Sequence, residues 1–308
     1  MVLVFIASRA ALPAYSDPFV SAAEYYFSRQ SYPAAFELWS KVLSREPENV
    51  SALLRVAELK LLLEGRLASR DILLKFLGQR AGTLTNEAEQ LIQSKHTLLQ
   101  SLFLTDEGQS LYLRAMTKIQ RKDFAGAAPL LTHALSLENN NLRILKEKAK
   151  CEKYSKAYDR FHETIQSAFE SDPYDMEIID NLVETYVYYK EYPKIVSLFR
   201  KTPNNLKTNR QRLAFGIALL EVGIPQDAIF VLQGLIERGK NTAIHPIALY
   251  AMGRLMNARG QTVEAGYYWD RFLNTAARTD DILIDGWDPY RSQEKLDGVT
   301  QLLGPKGS

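Results

Sequence analysis

Cysteine is almost missing from this chain: Cys151 is the only one in 308 residues, so neither an intrachain disulfide nor a cysteine-held metal cluster can form. The four histidines, His96, His133, His162 and His245, stand far apart, without a His-x-x-x-His pair or an acidic residue at ligand spacing, so no metal is expected. Charge of one sign is missing too. With 38 Lys plus Arg against 36 Asp plus Glu the net charge is +2, which removes the bulk electrostatic case for nucleic acid or anionic lipid. A charge-driven partner must therefore meet a local patch. No internal apolar run approaches the roughly 20 residues of a transmembrane helix. There is no Gly-x-Gly-x-x-Gly, no phosphate loop and no Gly-x-Ser-x-Gly, so nucleotide-binding and serine-hydrolase chemistry have no motif, and neither a cofactor nor an enzymatic activity is expected. The acidic cluster Asp280, Asp281, Asp285 and Asp288 lacks the glycine and terminal glutamate of a calcium loop and reads as solvated linker.

What is present is ordinary globular material, 46% apolar and 24% charged. The opening MVLVFIASRAALPAYSDP is apolar, is interrupted by Arg9 and is followed by the small residues Ala11, Ala14 and Ser16. Two readings of residues 1–15 stand: a signal segment, or an N-terminal segment of the folded body. The first places the chain in a bacterial periplasm or envelope; the second leaves it cytoplasmic.

Beneath the composition lies a repeat. Phe124, Ala127, Leu131 and Ala134 become Tyr158, Phe161, Ile165 and Ala168 after a shift of 34, and Tyr192, Ile195, Phe199 and Thr202 after a second. The preceding segments keep the same register, Leu111 with Leu145 and Ile179, and Ala115 with Ala149 and Val183. Near the N-terminus Tyr32, Ala35, Trp39 and Leu43 map onto Arg66, Ser69, Leu73 and Leu77. In the last two units Gly216 aligns with Gly253, Gly223 with Gly260, Ala228 with Ala265, and Leu232 with Trp269.

Over roughly residues 16 to 279 this pattern resembles the tetratricopeptide repeat, a pair of antiparallel helices, A and B, recurring every 34 residues. Small residues such as Ala115, Gly216, Ala127 and Ala228 let the two backbones approach, large ones such as Tyr26, Trp39 and Trp269 fill the space between units, and Pro47 and Pro173 end B helices. The resemblance implies an all-α fold, an α-solenoid of about seven such pairs wound as a right-handed superhelix, working as a protein-interaction scaffold.

One segment breaks the helix count. Residues 86–104 read as a single helix with Leu91, Leu98 and Leu102 on one face and no partner of its own. An odd helix is expected to offset the superhelix or to split it into two stacks, N-terminal units plus the odd helix over 16–104 and central and C-terminal units over 105–279, followed by a linker with a capping helix over 280–308, where Leu296, Val299 and Leu303 share a face.

The candidate partner site is a charged stripe. Arg143, Lys146, Lys150 and Lys153 follow one another at steps of three, four and three residues and so share one side of a helix. The resemblance implies that A helices line a concave groove where a peptide or helix of a partner lies. In that register the neighbouring unit offers Glu177, Asp180, Asn181 and Glu184, and the next Arg210. A carboxylate clamp, which some members of the family use, is partly matched: Lys146, Asn181 and Arg210 fit, whereas Lys150 and Ala214 stand where Asn and Arg are expected, and Asp180 and Glu184 repel a carboxylate. The opposing reading is that the basic and acidic stripes pair with each other. Cys151 beside Lys150 and Lys153 is either a packing thiol or a cysteine of lowered pKa. The function expected is a non-enzymatic adaptor with a peptide or helix in its groove; the alternative is an architectural subunit of a multiprotein assembly held through apolar edges.

Overall fold

A computed structural model describes residues 17–80, 82–201, 208–238 and 244–276. The N-terminal segment, the acidic cluster and the expected capping helix lie outside the described residues. Among the described residues there are fifteen helices, seven consecutive pairs and one odd member: α1 Pro18–Ser28, α2 Tyr32–Arg45, α3 Val50–Glu64, α4 Arg66–Gln79, α5 Asn86–Ser101, α6 Asp106–Gln120, α7 Phe124–Leu137, α8 Leu142–Tyr154, α9 Tyr158–Ser171, α10 Met176–Tyr188, α11 Tyr192–Lys201, α12 Asn209–Glu221, α13 Pro225–Arg238, α14 Ile244–Ala258 and α15 Thr262–Ala276. The fold class is all-α, a solenoid of helix pairs. The chain divides into two compact units, Met1–Ile178 and Ile179–Ser308.

Within the first unit local chemistry sets where helices start. The side chains of Asp17, Asn49, Thr85, Thr105, Asp123 and Asn141 each accept from a backbone N–H of the turn that follows, satisfying donors the helix itself leaves open. The repeat register then decides what is buried. Leu111 and Leu145, Ala115 and Ala149, Ala127 and Phe161, Leu131 and Ile165, and Ala134 and Ala168 are all in the core, as are Ala35, Trp39, Leu73 and Leu77 of the first two pairs. In each pair small residues of the two helices meet, and the larger neighbours close over them.

The turn from A to B has one geometry in six of the seven pairs; the exception is α3 to α4, where Gly65 alone joins the helices at φ +93°. Gln30, Lys122, Lys156, Lys190, Gly223 and Gly260 hold φ between +57° and +76°, a left-handed residue that reverses the chain after the A helix. The residue that follows sends its N–H back to a carbonyl of the last A turn, as Asp123 does to Lys118 and Ala157 to Glu152, both at 2.9 Å.

The odd helix α5 is not a free spacer. It packs on α3, α4 and α8, and Ile92 and Leu99 join Leu53, Leu61, Leu73 and Leu77 in one core, with Tyr174 against it. A buried polar seam also joins the chain on either side of residues 104 and 105. The Arg66 guanidinium donates to Glu138 and to the carbonyls of Leu102 (2.5 Å) and Asn139 (3.2 Å). Glu138, fully buried, also accepts from the N–H of Leu104 (2.9 Å) and from the N–H and hydroxyl of Thr105 (2.6 and 2.7 Å).

In the second unit the close approaches fall on the aligned glycines. A methyl group on Gly216 would meet Leu232 at 2.8 Å, and one on Gly253 would overlap the indole of Trp269. These are the A-to-B contacts of their pairs, α12 with α13 and α14 with α15. Leucine in one unit and tryptophan in the next fill the same register position against the same backbone gap.

Candidate partner-binding site

Helix α8 carries the basic stripe. It begins where the Asn141 side chain accepts from the N–H groups of Arg143 and Ile144, and the same amide donates to the Leu102 carbonyl at 2.9 Å, tying the helix start to the chain that leads into α6. Leu142, Ile144, Leu145, Ala149 and Cys151 fix its buried side, which turns the stripe outward.

The four cations differ in their surroundings. Lys146 is half-buried and engaged: its ammonium pairs with Asp175 at 3.0 Å and with Glu177. Burial works to lower its pKa, but hydrogen bonds and charge from Glu177 and Asp175 outweigh that and raise it. Lys153 lies over the Phe161 ring, 5.7 Å from its centroid. Lys150 has 48% of its side chain exposed and, among the described residues, its one ion pair is a 3.9 Å contact with Glu147 of its own helix. Arg143 is exposed and makes no ion pair among the described residues. Tyr112 of α6 is near enough to feel this helix: its phenol is pushed up by burial and by Glu147 and drawn down by Arg143.

Asn181, Glu184 and Arg210 belong to the second unit. Arg210 reaches buried Glu184 at 3.3 Å, and Asp180 accepts from the Gln211 side chain at 2.7 Å. Gln211 is itself the third residue of a reciprocal cap with Thr208 at the start of α12. Asn181 is half-buried and Ala214 is buried. Asp180 and Glu184 of α10 are thus partners of α12, whereas Glu177 of the same helix is paired with Lys146.

Cys151 is fully buried, and burial, then Glu147 and Glu152, push its thiol up to about 11; it is a packing residue, not a nucleophile.

A second polar cluster went unread in the sequence. His96 of α5 is fully buried, its Nε2 lying 2.9 Å from the Ser171 carbonyl and 3.9 Å from Asp172. Burial is the main cause that holds His96 below its ordinary pKa and Asp172 above its own. Thr97 donates to the same carboxylate. The signal was in the repeat: Glu138 and Asp172 are one 34-residue period apart, both ending B helices, and both receive donors from α4 or α5. Arg66, standing where other units place Tyr32, Phe124, Tyr158 and Tyr192, is the complementary departure.

Among the described residues no group of three or more His, Cys, Asp or Glu gathers in a way that could hold a metal ion, and no helix is long and apolar enough to cross a membrane.

No family model matches the chain, and no curated protein matches it. Several solved structures are similar to it. One is MamA MSR-1 C2, 16% identical over 56% of this chain and 97% of that one, with a TM-score of 0.44. A second is PilF of Pseudomonas aeruginosa, 12% identical over 74% and 94%, TM-score 0.37. A third is the C-terminal part of a TPR repeat-containing protein of Cytophaga hutchinsonii, 16% identical over 87% and 98%, TM-score 0.41. At such scores the description of the fold rests on this chain's own burial pattern and turn geometry. The repeat those establish is tetratricopeptide-like.

Proposed function

We propose that the chain is a non-enzymatic adaptor that binds an acidic segment of a partner protein along the outward face of α8. The observation that supports this reading is the contrast along one stripe. Lys146 is committed to Asp175 and Glu177, whereas Arg143 and Lys150, seven residues apart and so two turns up the same face, are exposed, with the Tyr112 phenol within the field of Arg143. Two cations at that spacing and an aromatic ring suit an acidic peptide laid along the helix, with the charges governing encounter rate and register. The carboxylate-clamp reading has less support, because Arg210 is turned to Glu184 and Lys146 to Asp175.

The test is a panel of fluorescein-labelled peptides graded in acidic content, titrated by anisotropy against wild type and Arg143→Ala/Lys150→Ala. The double variant should keep its helicity and melting and lose roughly tenfold in affinity for the acidic peptides, with the difference shrinking as salt rises. Equal binding by both proteins refutes the α8 surface and favours the architectural alternative, for which the exposed apolar residues of the second unit are the candidate edges.

A further inference from the structure

The second unit holds a cleft of about 480 Å³ along α12 and α13. Its walls are apolar, with Phe215, Phe230, Val231 and Leu235, and it is bordered by Arg212 and Arg238. Neither arginine side chain makes an ion pair or a hydrogen bond among the described residues.

Three departures from the repeat meet in this cleft, each counted from the left-handed residue of the A-to-B turn, which is Gly223 in this pair. Eleven positions before that residue the other pairs with this turn place Phe19, Leu111, Leu145, Ile179 and Leu249, the last four of them buried; here the position holds Arg212, half-buried. A guanidinium has taken a core leucine's place without gaining an anion, which weakens the fold. Seven positions after the turn the others carry Glu37, Pro129, Glu163, Ser197 and Tyr267, and this pair carries Phe230, 82% exposed. A large apolar ring stands in water. Eleven positions after the turn the others carry Lys41, His133, Ser167, Lys201 and Arg271, and this pair has Gly234. Glycine weakens a helix, and here an added Cβ would meet nothing within 4 Å, so no neighbour requires it. Its effect is to leave the floor of the cleft open. None of the three departures serves the packing of the pair, and local conflicts that converge on one place are the mark of a site where stability is given up for binding.

We propose that this cleft docks a segment of a partner protein in which one bulky apolar side chain, leucine or an aromatic, is flanked by carboxylates. The site goes beyond the α8 surface, and neither depends on the other. The apolar side chain fills the hollow over Gly234 between Phe215, Val231 and Leu235, while the carboxylates meet Arg212 and Arg238. Glu237, the one acid of the lining among the described residues, already accepts from the Gln233 side chain at 3.1 Å. Phe230 decides the size of the occupant: a small amphipathic acid in the hollow leaves that ring in water, whereas a chain crossing the cleft covers it. Exposed aromatic and arginine side chains around a hollow are also what the centre of a protein interface is made of.

End-capped, fluorescein-labelled nonapeptides test this by anisotropy against the full chain, with a central Leu, Phe, Trp or Ala and with flanks of Glu or of Gln. The Glu-flanked peptides with an apolar centre should bind roughly tenfold more tightly than the Ala-centred or the Gln-flanked ones. The α8 surface responds to acid content alone, so Arg143→Ala/Lys150→Ala should leave the preference for an apolar centre over alanine unchanged, which separates the two readings. Gly234→Leu, filling the hollow, and Phe230→Glu, restoring the residue that α2 and α9 carry, should each abolish that preference at unchanged helicity. Arg212→Leu restores the core leucine of the other pairs; it should raise the melting temperature and cost roughly tenfold in affinity for the Glu-flanked peptides. A panel without preference for an apolar centre, a preference that survives in Gly234→Leu and Phe230→Glu, or a lower melting temperature in Arg212→Leu overturns the proposal. Binding of dodecanoate without that of any peptide assigns the cleft to a small amphipathic acid, and a dimer in sedimentation that Phe230→Glu dissolves assigns it to a second copy; either result also overturns it.

Discussion

Replacing Arg66 by alanine is the most decisive perturbation of the first unit. The side chain is 5% exposed and ends on three acceptors: the Glu138 carboxylate and the carbonyls of Leu102 and Asn139. Its loss leaves Glu138 as a buried anion. Removing one partner of a buried pair costs about 3–5 kcal/mol, because the remaining charge is neither solvated nor paired. Here the N–H groups of Leu104 and Thr105 and the Thr105 hydroxyl still reach Glu138, which argues for the lower half of that range. Glu138→Gln should cost a similar amount by stranding the guanidinium. The double variant Arg66→Ala/Glu138→Gln should be less unstable than the sum of the singles by about 1–3 kcal/mol, the signature of direct coupling. Urea unfolding followed by circular dichroism measures all four corners of the cycle.

The same pair sets a pH dependence. Burial by itself would raise the Glu138 pKa, but hydrogen bonds from Thr105, Arg66 and Leu104 and the Arg66 charge bring it below its ordinary 4.5. A carboxylate with a depressed folded pKa contributes stability that is fully present above the unfolded value and is lost as pH falls through the folded one. Wild type should therefore lose stability below about pH 4.5 more steeply than Glu138→Gln. If Arg66→Ala costs under about 1 kcal/mol and the two acid limbs run parallel, the seam does not hold α4 and α5 to the chain beyond residue 104, and the reasoning fails.

Two further outcomes test the repeat geometry. Gly253→Leu drives a side chain into the Trp269 indole and should cost about 3 kcal/mol by overpacking, whereas Gly234→Ala, facing open space, should stabilise by about 1 kcal/mol; thermal melts of equal midpoint would contradict the register. Lys156→Gly relieves a left-handed lysine at the A-to-B turn, φ +58°, and should gain roughly 0.5–1 kcal/mol in urea unfolding, whereas Lys156→Val should lose more than that.

The sequence by itself determined the period, and through it the fold class. Alanines at 35, 115, 127, 134 and 168 recur because two helix backbones can touch only where side chains are small, and that constraint repeats with every pair. Gly253 could be read as a contact point for the same reason, and the structure sets Trp269 against it. The stripe Arg143, Lys146, Lys150 and Lys153 was legible too, since spacing alone places residues on a helix face. What spacing does not encode is which neighbour a charge meets. Lys146 finds Asp175 and Glu177, while Arg143 stays in solvent, because the start of α10 lies beside one and not the other. The odd helix shows the same limit more strongly. Its helical pattern marked α5 as unpaired, but it packs on α3, α4 and α8, and Arg66 of α4 with His96 and Thr97 of α5 meet Glu138 and Asp172 at the ends of α7 and α9, more than 70 residues further along the chain. Periodicity records contacts between neighbours in sequence. A docking that skips a pair of helices leaves only isolated departures from the period, and only the tertiary structure brings an arginine in an aromatic's position up to the buried carboxylate that explains it.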